Sequence, residues 1–278
     1  MVVVKLKGGL GNQMFQYAVG KRLAKNSKLL FDTDFYSINS ISNEYFTARK
    51  FSLFIFKNIK IKIAKGLIKY LVKEAILPKT RKFIQSDENE LIDLKKLNFS
   101  NAYLDGYFQN ETYFKGIREQ LLIDFEFPEV QESNIILYNK ILADNSSVAI
   151  HVRRGDYLKP MVESFHGVLS ITYYQQAIEK IKTSIKQPHF YIFSDDPDWC
   201  RKEFQSLKIH FTVVSNSQSM DWEDMKMMSK CKHNIIANSS YSWWAAWLNI
   251  NEDKMIIAPN NWFLSAPIEI IPDKWIKI

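Results

Sequence analysis

Arg153 and Arg154 stand side by side in His151-Val152-Arg153-Arg154-Gly155-Asp156-Tyr157. Two adjacent guanidiniums, always charged and able to bond through two N–H groups at once, suit the capture of a phosphate. The apolar run that leads into them, Val148–Arg153, reads as a strand, so the pair falls at a strand's carboxyl end, where open α/β sheets place their ligands. Alternation along that strand puts His151, Arg153 and Gly155 on one side and Arg154 and Asp156 on the other. The plainer reading is an Arg–Asp salt bridge closing the strand.

Three further groups have residue types with chemical reach. Ser194-Asp195-Asp196-Pro197-Asp198 follows a strand and opens a helix. Asp195 or Asp196 would cap that helix, and a carboxylate there can also accept the N–H edge of a guanine. Asn238-Ser239-Ser240-Tyr241-Ser242-Trp243-Trp244 again runs from strand to helix. Its hydroxyls and free N–H groups suit phosphate, with Ser240 as a plain N-cap the alternative. Trp243, Trp244 and Trp247 read as packing. Gly8-Gly9-Leu10-Gly11-Asn12-Gln13 is a glycine turn between the first strand and the first helix, where backbone can approach a ligand closely. It is neither a Walker loop nor a full dinucleotide fingerprint, since Met14 stands at the third glycine's place. Two Asp-x-Asp triplets, Asp32-Thr33-Asp34 and Asp196-Pro197-Asp198, are of the kind that can hold a divalent ion on a sugar-nucleotide diphosphate. No His, Cys and acid spacing suggests zinc, and Cys200 and Cys231 read as packing residues.

The elements that must position these groups alternate. Strand-like runs at 2–6, 28–32, 103–108, 148–153, 190–194, 211–214, 234–237 and 255–258 are separated by helical patterns at 14–25, 112–122, 173–185, 197–205, 221–230 and 241–249. That order predicts βαβ units with parallel sheets. At 278 residues the chain is long for one core and comfortable for two. We expect a first domain over 1–142 and a second over 143–278. Two cysteines make no disulfide framework, and no apolar stretch reaches the roughly 18 residues of a membrane span, so a cytoplasmic protein is expected.

The net charge of +7 is local. Residues 57–82 hold nine basic residues and one acid, Glu74. Residues 59–76 put apolar side chains at 63, 64, 67, 68, 71, 72, 75 and 76 and lysines at 62, 65, 69 and 73, which predicts a basic amphipathic helix. Its lysine face is either solvated or docked on an anionic membrane. No nucleic-acid motif accompanies it, so no nucleic-acid partner is expected.

Taken together, KLKGGLGNQMFQYAVGKRLA (5–24), LDGYFQNETYF (104–114), IHVRRGDY (150–157), HGVLSITYYQQAI (166–178), FSDDPDW (193–199) and DMKMMSKCKHNIIANSSYSWWAAWL (224–248) resemble the bacterial α1,2-fucosyltransferases of glycosyltransferase family 11. The resemblance spans most of the chain and is weakest over 35–100. It implies a GT-B arrangement, with an acceptor-side Rossmann-like domain followed by a donor domain facing it across a cleft. It implies GDP-β-L-fucose as donor, inversion at the anomeric carbon, no required metal or other cofactor, and transfer to the 2-hydroxyl of a terminal galactoside of an O-antigen or capsule unit, often lipid-linked. On that resemblance Arg153 and Arg154 hold the diphosphate, and His151 and Asp196, with Asp195 beside it, lie near the guanine. Ser239, Ser240 and Ser242 lie near phosphate. Gly9, Gly11, Asn12 and Gln13 form the loop that faces the fucose, Asn12 most directly. Asp156, Glu163 and His166 are the candidates for a general base, with Asp156 alternatively orienting an arginine. A metal-dependent glycosyltransferase using an Asp-x-Asp triplet, or a binding module that kept the fold, are the competing readings.

Overall fold

The computed structural model describes residues 1–43, 47–85, 91–93, 99–215, 220–264 and 270–278. They form two compact units, each an α/β layer structure around its own parallel sheet.

The first unit is built on Met1–Pro128. Its sheet has the order β2-β1-β4-β3, from β1 (Val2–Lys5), β2 (Leu29–Asp32), β3 (Thr80–Ile84) and β4 (Asn101–Asp105), all parallel. The helix α1 (Leu10–Ala24) leaves the glycine turn and lies on the face that carries Val4. A Cβ on Gly20 would sit 2.6 Å from Val4 Cγ2, so glycine is what allows the helix this close. After the short α2 (Asp34–Ile38), α3 (Gly66–Lys73) covers the opposite face, where Val72 packs with Val3 and Tyr103. The helix α4 (Arg118–Asp124) ends the unit.

The basic helix expected over 59–76 is therefore only its second half. Ile59, Ile61 and Ile63 alternate with Lys60 and Lys62, and that period of two wins locally. Ile63 bridges Phe31, with the Phe31 N–H donating to the Lys62 carbonyl at 2.9 Å and the Ala64 N–H to that of Phe31 at 2.8 Å. The strand β3 was not expected. Only Phe83 in it is buried, as suits a polar edge strand.

The second unit begins at Glu129. The boundary precedes the expected 142/143 because α5 (Glu132–Ala143) packs against α9 (Asp221–Lys230) of this unit. Six parallel strands lie in the order β10-β9-β8-β5-β6-β7: β5 (Ser147–Val152), β6 (His189–Ser194), β7 (Phe211–Val214), β8 (His233–Ile235), β9 (Ile256–Ala258) and β10 (Ile276–Lys277). Central β5 is buried at every residue, as a strand covered on both faces must be. The helices α6 (Pro160–His166), α7 (Ile171–Lys182), α8 (Pro197–Gln205) and α10 (Ser240–Leu248) complete the layers. Trp243 and Trp244 are fully buried and Trp247 nearly so, and both cysteines are buried, which makes all five packing residues.

Candidate active site

Three consecutive neighbours, β8, β5 and β6, end at the same edge of the second sheet, and each feeds one of the singled-out segments. After β5 the chain does not continue as a strand. It turns through Gly155 into a 3-10 turn, Asp156–Leu158, so the alternation expected beyond Val152 fails. Arg153 and Asp156 come together instead of lying on opposite sides, with Arg153 Nη2 donating to Asp156 Oδ1 at 2.5 Å.

Asp195, at the end of β6, ties the turn down. Its Oδ2 lies 2.8 Å from Arg153 Nη1, and its Oδ1 accepts the Arg154 backbone N–H at 2.8 Å. A Cβ on Gly155 would stand 2.8 Å from that same Oδ2, so no side chain fits there. Burial works against charge on Arg153, but Asp195 and Asp156 outweigh it and hold its pKa above the ordinary arginine value. Asp196 divides its two oxygens. One caps α8 through the Trp199 N–H at 3.1 Å, and the other accepts Arg154 Nε at 3.1 Å. The Arg154 guanidinium lies 4.2 Å from the centre of the Trp199 ring, a cation–π contact. Among the described residues its two terminal nitrogens have no hydrogen-bond partner.

On the β8 side, Asn238 leads into α10. Ser239 is the N-cap residue but its hydroxyl makes no capping bond, and Ser240 opens the helix. Neither hydroxyl has a partner among the described residues, so both remain able to meet a ligand beside the free N–H groups of the first turn. Ser242 differs from the expectation: it is fully buried and its Oγ donates back to the carbonyls of Ser239 and Ala237. Two titratable rings flank the edge. His151 is buried 5.5 Å from Tyr241, and burial followed by Arg153 pulls its pKa to about 3. His166 stacks on Tyr157 at 4.7 Å, and burial pulls it to about 4. Both imidazoles are neutral at pH 7. The Nδ1 atoms of His151 and His166 and the Oδ1 of Asn238 are buried without a partner among the described residues. Such atoms are rare in folded proteins. Glu163, on α6, is exposed.

In the first unit the glycine turn is equally specific. Gly8 has φ +76, and a Cβ there would collide with Asn12 Nδ2 at 2.4 Å. Asn12 accepts from Gln109 Nε2 at 2.7 Å. Gly9 caps α1, with Arg49 near enough only for ordinary contact, and Gly11 is buried in the first turn. Gln13 does not face a ligand. It is fully buried and stitches a loop, donating to the carbonyls of Gly8 and Lys50 and accepting the Ser52 N–H at 2.8 Å.

In both Asp-x-Asp triplets the carboxylates are paired with other side chains. Asp32 accepts Tyr103 Oη at 2.9 Å, and Lys69 lies 3.5 Å from Asp32 and 2.5 Å from Asp34. Asp196 is shared as above, and Asp198 pairs with Arg201 at 2.5 Å. Among the described residues no group of three or more His, Cys, Asp or Glu is placed to hold a metal.

Three contacts were not singled out from sequence: in the second unit Trp199 beneath Arg154 and Tyr241 beside His151, and in the first unit Gln109 holding Asn12. Trp199 and Gln109 lie inside segments of the resemblance, but their partners are distant in the chain.

Comparison with known proteins gives the same direction. The family model described as glycosyl transferase family 11 matches residues 1–277. An O-antigen biosynthesis glycosyltransferase, WbnK, of Escherichia coli is 33% identical over 307 residues, spanning 98% of this chain and 99% of that protein. An alpha-1,2-colitosyltransferase of Escherichia coli is also 33% identical, over 306 residues, spanning 100% of this chain and 99% of its own length. A galactoside alpha-(1,2)-fucosyltransferase 1 of Leontopithecus chrysomelas is 27% identical over 154 residues, 52% of this chain and 42% of that protein. The chain is a glycosyltransferase and belongs to glycosyl transferase family 11.

Proposed function

We propose that the protein transfers L-fucose from GDP-β-L-fucose to the 2-hydroxyl of a terminal galactoside, with inversion and without a metal, in O-antigen or capsule synthesis at the cytoplasmic face of the membrane. The observation that carries the reading is the arginine pair, fixed by Asp156, Asp195 and Asp196 beside the open N-terminus of α10. In this reading the second unit is the donor domain and the first unit, with Asn12, supplies the acceptor side. The acceptor oxygen attacks the anomeric carbon on the face away from the diphosphate. The C1–O bond breaks, its electron pair leaves with GDP, and the acceptor hydroxyl's proton is lost to water. Arg153, Arg154 and the α10 N–H groups are the donors available to stabilise the charge that develops there, and loss of one such donor typically costs about 2.7–4 kcal/mol. Asp156 serves Arg153 and is an orienting group rather than the base. His166, held to about 4, stays unprotonated at neutral pH but is a weak proton acceptor.

A second reading, colitose as the transferred sugar, is favoured by the full-length likeness to the colitosyltransferase, whereas the galactoside fucosyltransferase aligns with only half of the chain. Colitose is fucose without the 3-hydroxyl. The test is transfer from GDP-fucose and GDP-colitose in parallel to a panel of β-galactosides with excess EDTA. A fucosylated α1→2 product in EDTA is expected. Turnover of GDP-colitose alone moves the donor to the second reading, and turnover restored only by Mn²⁺ refutes metal independence.

A further inference from the structure

The helix α3 shows its apolar residues to solvent. Of its five apolar or aromatic side chains, only Val72 is fully buried, against Val3 and Tyr103. Leu67 is 70% exposed, Tyr70 56% and Ile68 45%, and Ile76 just past the helix is 55% exposed. On a helical wheel Leu67 and Tyr70 fall opposite Val72, with Ile68 nearer to Val72, so the apolar arc of the helix runs from the buried side out to solvent. Its lysines divide. Lys69 is turned inward and held by Asp34 and Asp32, so it does not belong to an open basic face. Lys65, at the N-cap, and Lys73, the last residue of the helix, are exposed, as are Lys60, Lys62, Lys79 and Arg81. Lys82, 3.8 Å from Glu74, sits at the helix's C-terminal end.

We infer that α3 is a membrane-surface anchor, lying on an anionic lipid bilayer with Leu67, Ile68 and Tyr70 in the headgroup boundary and the surrounding lysines on lipid phosphates. The combination of an outward apolar strip with a basic rim is what such a surface recognises. A second copy of this chain would set nine basic residues of 57–82 against nine more with one acid each, which opposes pairing. A nucleic acid would use the lysines but leave Leu67 and Ile68 in water. None of these side chains belongs to the site described above. No helix among the described residues is long and apolar enough to cross a membrane, so the contact is peripheral.

Vesicle co-sedimentation tests this with neither donor nor acceptor present, so the outcome is separate from the donor assignment. Phosphatidylcholine vesicles containing phosphatidylglycerol are compared with phosphatidylcholine alone. The wild type is expected to bind the anionic vesicles at low salt and to be released as salt screens the contact. Each lysine near such a surface adds about fivefold, so replacing Lys62, Lys65 and Lys73 with Gln should weaken partitioning on the order of 100-fold. Leu67→Ser with Tyr70→Ser should weaken binding while leaving its salt dependence in place. All five positions are exposed, and unchanged thermal melting verifies the fold. Equal binding to both vesicle types, no binding to either, or wild-type binding by both variants would overturn the inference. So would a dimer in sedimentation velocity that Leu67→Ser abolishes, since that outcome gives the face to a second copy.

Discussion

Gly155→Ala places a single methyl group where the site has no room. The new Cβ would lie 2.8 Å from Asp195 Oδ2 and 3.1 Å from its Cγ, against an ordinary contact of 3.4 Å or more. The glycine's φ is negative, outside the left-handed region, and the contact with Asp195 is a steric one. Asp195 must withdraw by roughly half an ångström or more, and the atom it withdraws is the one bonded to Arg153 Nη1 at 2.8 Å. Its other oxygen, on the Arg154 N–H, moves with it. Each charge-assisted bond of this kind contributes about 1.5–3 kcal/mol, and misdirecting one arginine in the transition state costs about 10²–10³ in rate. The expected result is a kcat lowered on the order of 100-fold, with a melting temperature only a few degrees below wild type. Steady-state turnover and a thermal melt read both. Asp195→Asn is the companion variant, since it keeps the shape but weakens both bonds, and it should lower kcat in the same direction. A Gly155→Ala enzyme with near wild-type kcat would show that the Asp195 clamp does not position the arginines.

Ser240→Ala should raise the KM for the nucleotide sugar several-fold, whereas Ser242→Ala should leave KM alone and lose about 1 kcal/mol of stability, because the Ser242 hydroxyl is spent on Ser239 and Ala237. Equal effects on KM would refute that division. His151 and His166 titrate near 3 and 4 in the folded protein but near 6.5 unfolded, so the unfolded chain binds more protons as pH falls through that window. Stability should therefore be complete above about pH 6.5 and fall toward pH 4. His166→Gln should flatten part of that fall, by up to about 3 kcal/mol, and a pH-independent melting temperature would contradict the burial of both rings. Gly20→Ala should destabilise by about 1–3 kcal/mol without touching kcat, since its Cβ would press 2.6 Å from Val4 Cγ2, and an unchanged melt would mean that α1 can lift off the sheet without cost.

The second unit was far more legible in the sequence than the first. Its central strands β5, β6 and β8 are buried at nearly every residue, and the largely apolar runs of β5 and β6 end in charged residues that stand out in the sequence. In the first unit, residues 57–63 alternate Ile with Lys and then pass into α3 with no break in composition, so two periods merged into one expected helix. The strand β3, Thr-Arg-Lys-Phe-Ile, has a single buried side chain and no pattern to find. At the site, the residue types were visible but not their pairing. The contact of Asp195 with Arg153 spans 42 positions, and the staple from Gln13 reaches Lys50 and Ser52 in a segment without a motif. Ser242 looked equivalent to its neighbours until the helix turned it inward.

The pairing changes how anion recognition at this edge must work. Two guanidiniums, Arg153 and Arg154, are matched by three carboxylates, Asp156, Asp195 and Asp196, so the five side chains together carry a formal charge of −1. On the proposed reading, a diphosphate would not meet a patch of net positive charge here. On that reading the ligand is recognised by donors already placed: the terminal nitrogens of Arg154, without a partner among the described residues and held over the Trp199 ring, and the N–H groups at the start of α10. Donors fixed in advance cost no reorganisation when charge develops on the leaving group, and they act most strongly where water is excluded. The carboxylates have the same purpose on this view. They compete poorly with a ligand for the outer face of Arg154, because Asp196 touches only its Nε, but they hold each guanidinium in one orientation. Removing a carboxylate should therefore loosen the geometry and lower kcat, even though it makes the site more positive. A variant such as Asp196→Asn that bound GDP more tightly yet turned over more slowly is the signature this arrangement requires. One that gained in both would mean that net charge, and not orientation, governs the site.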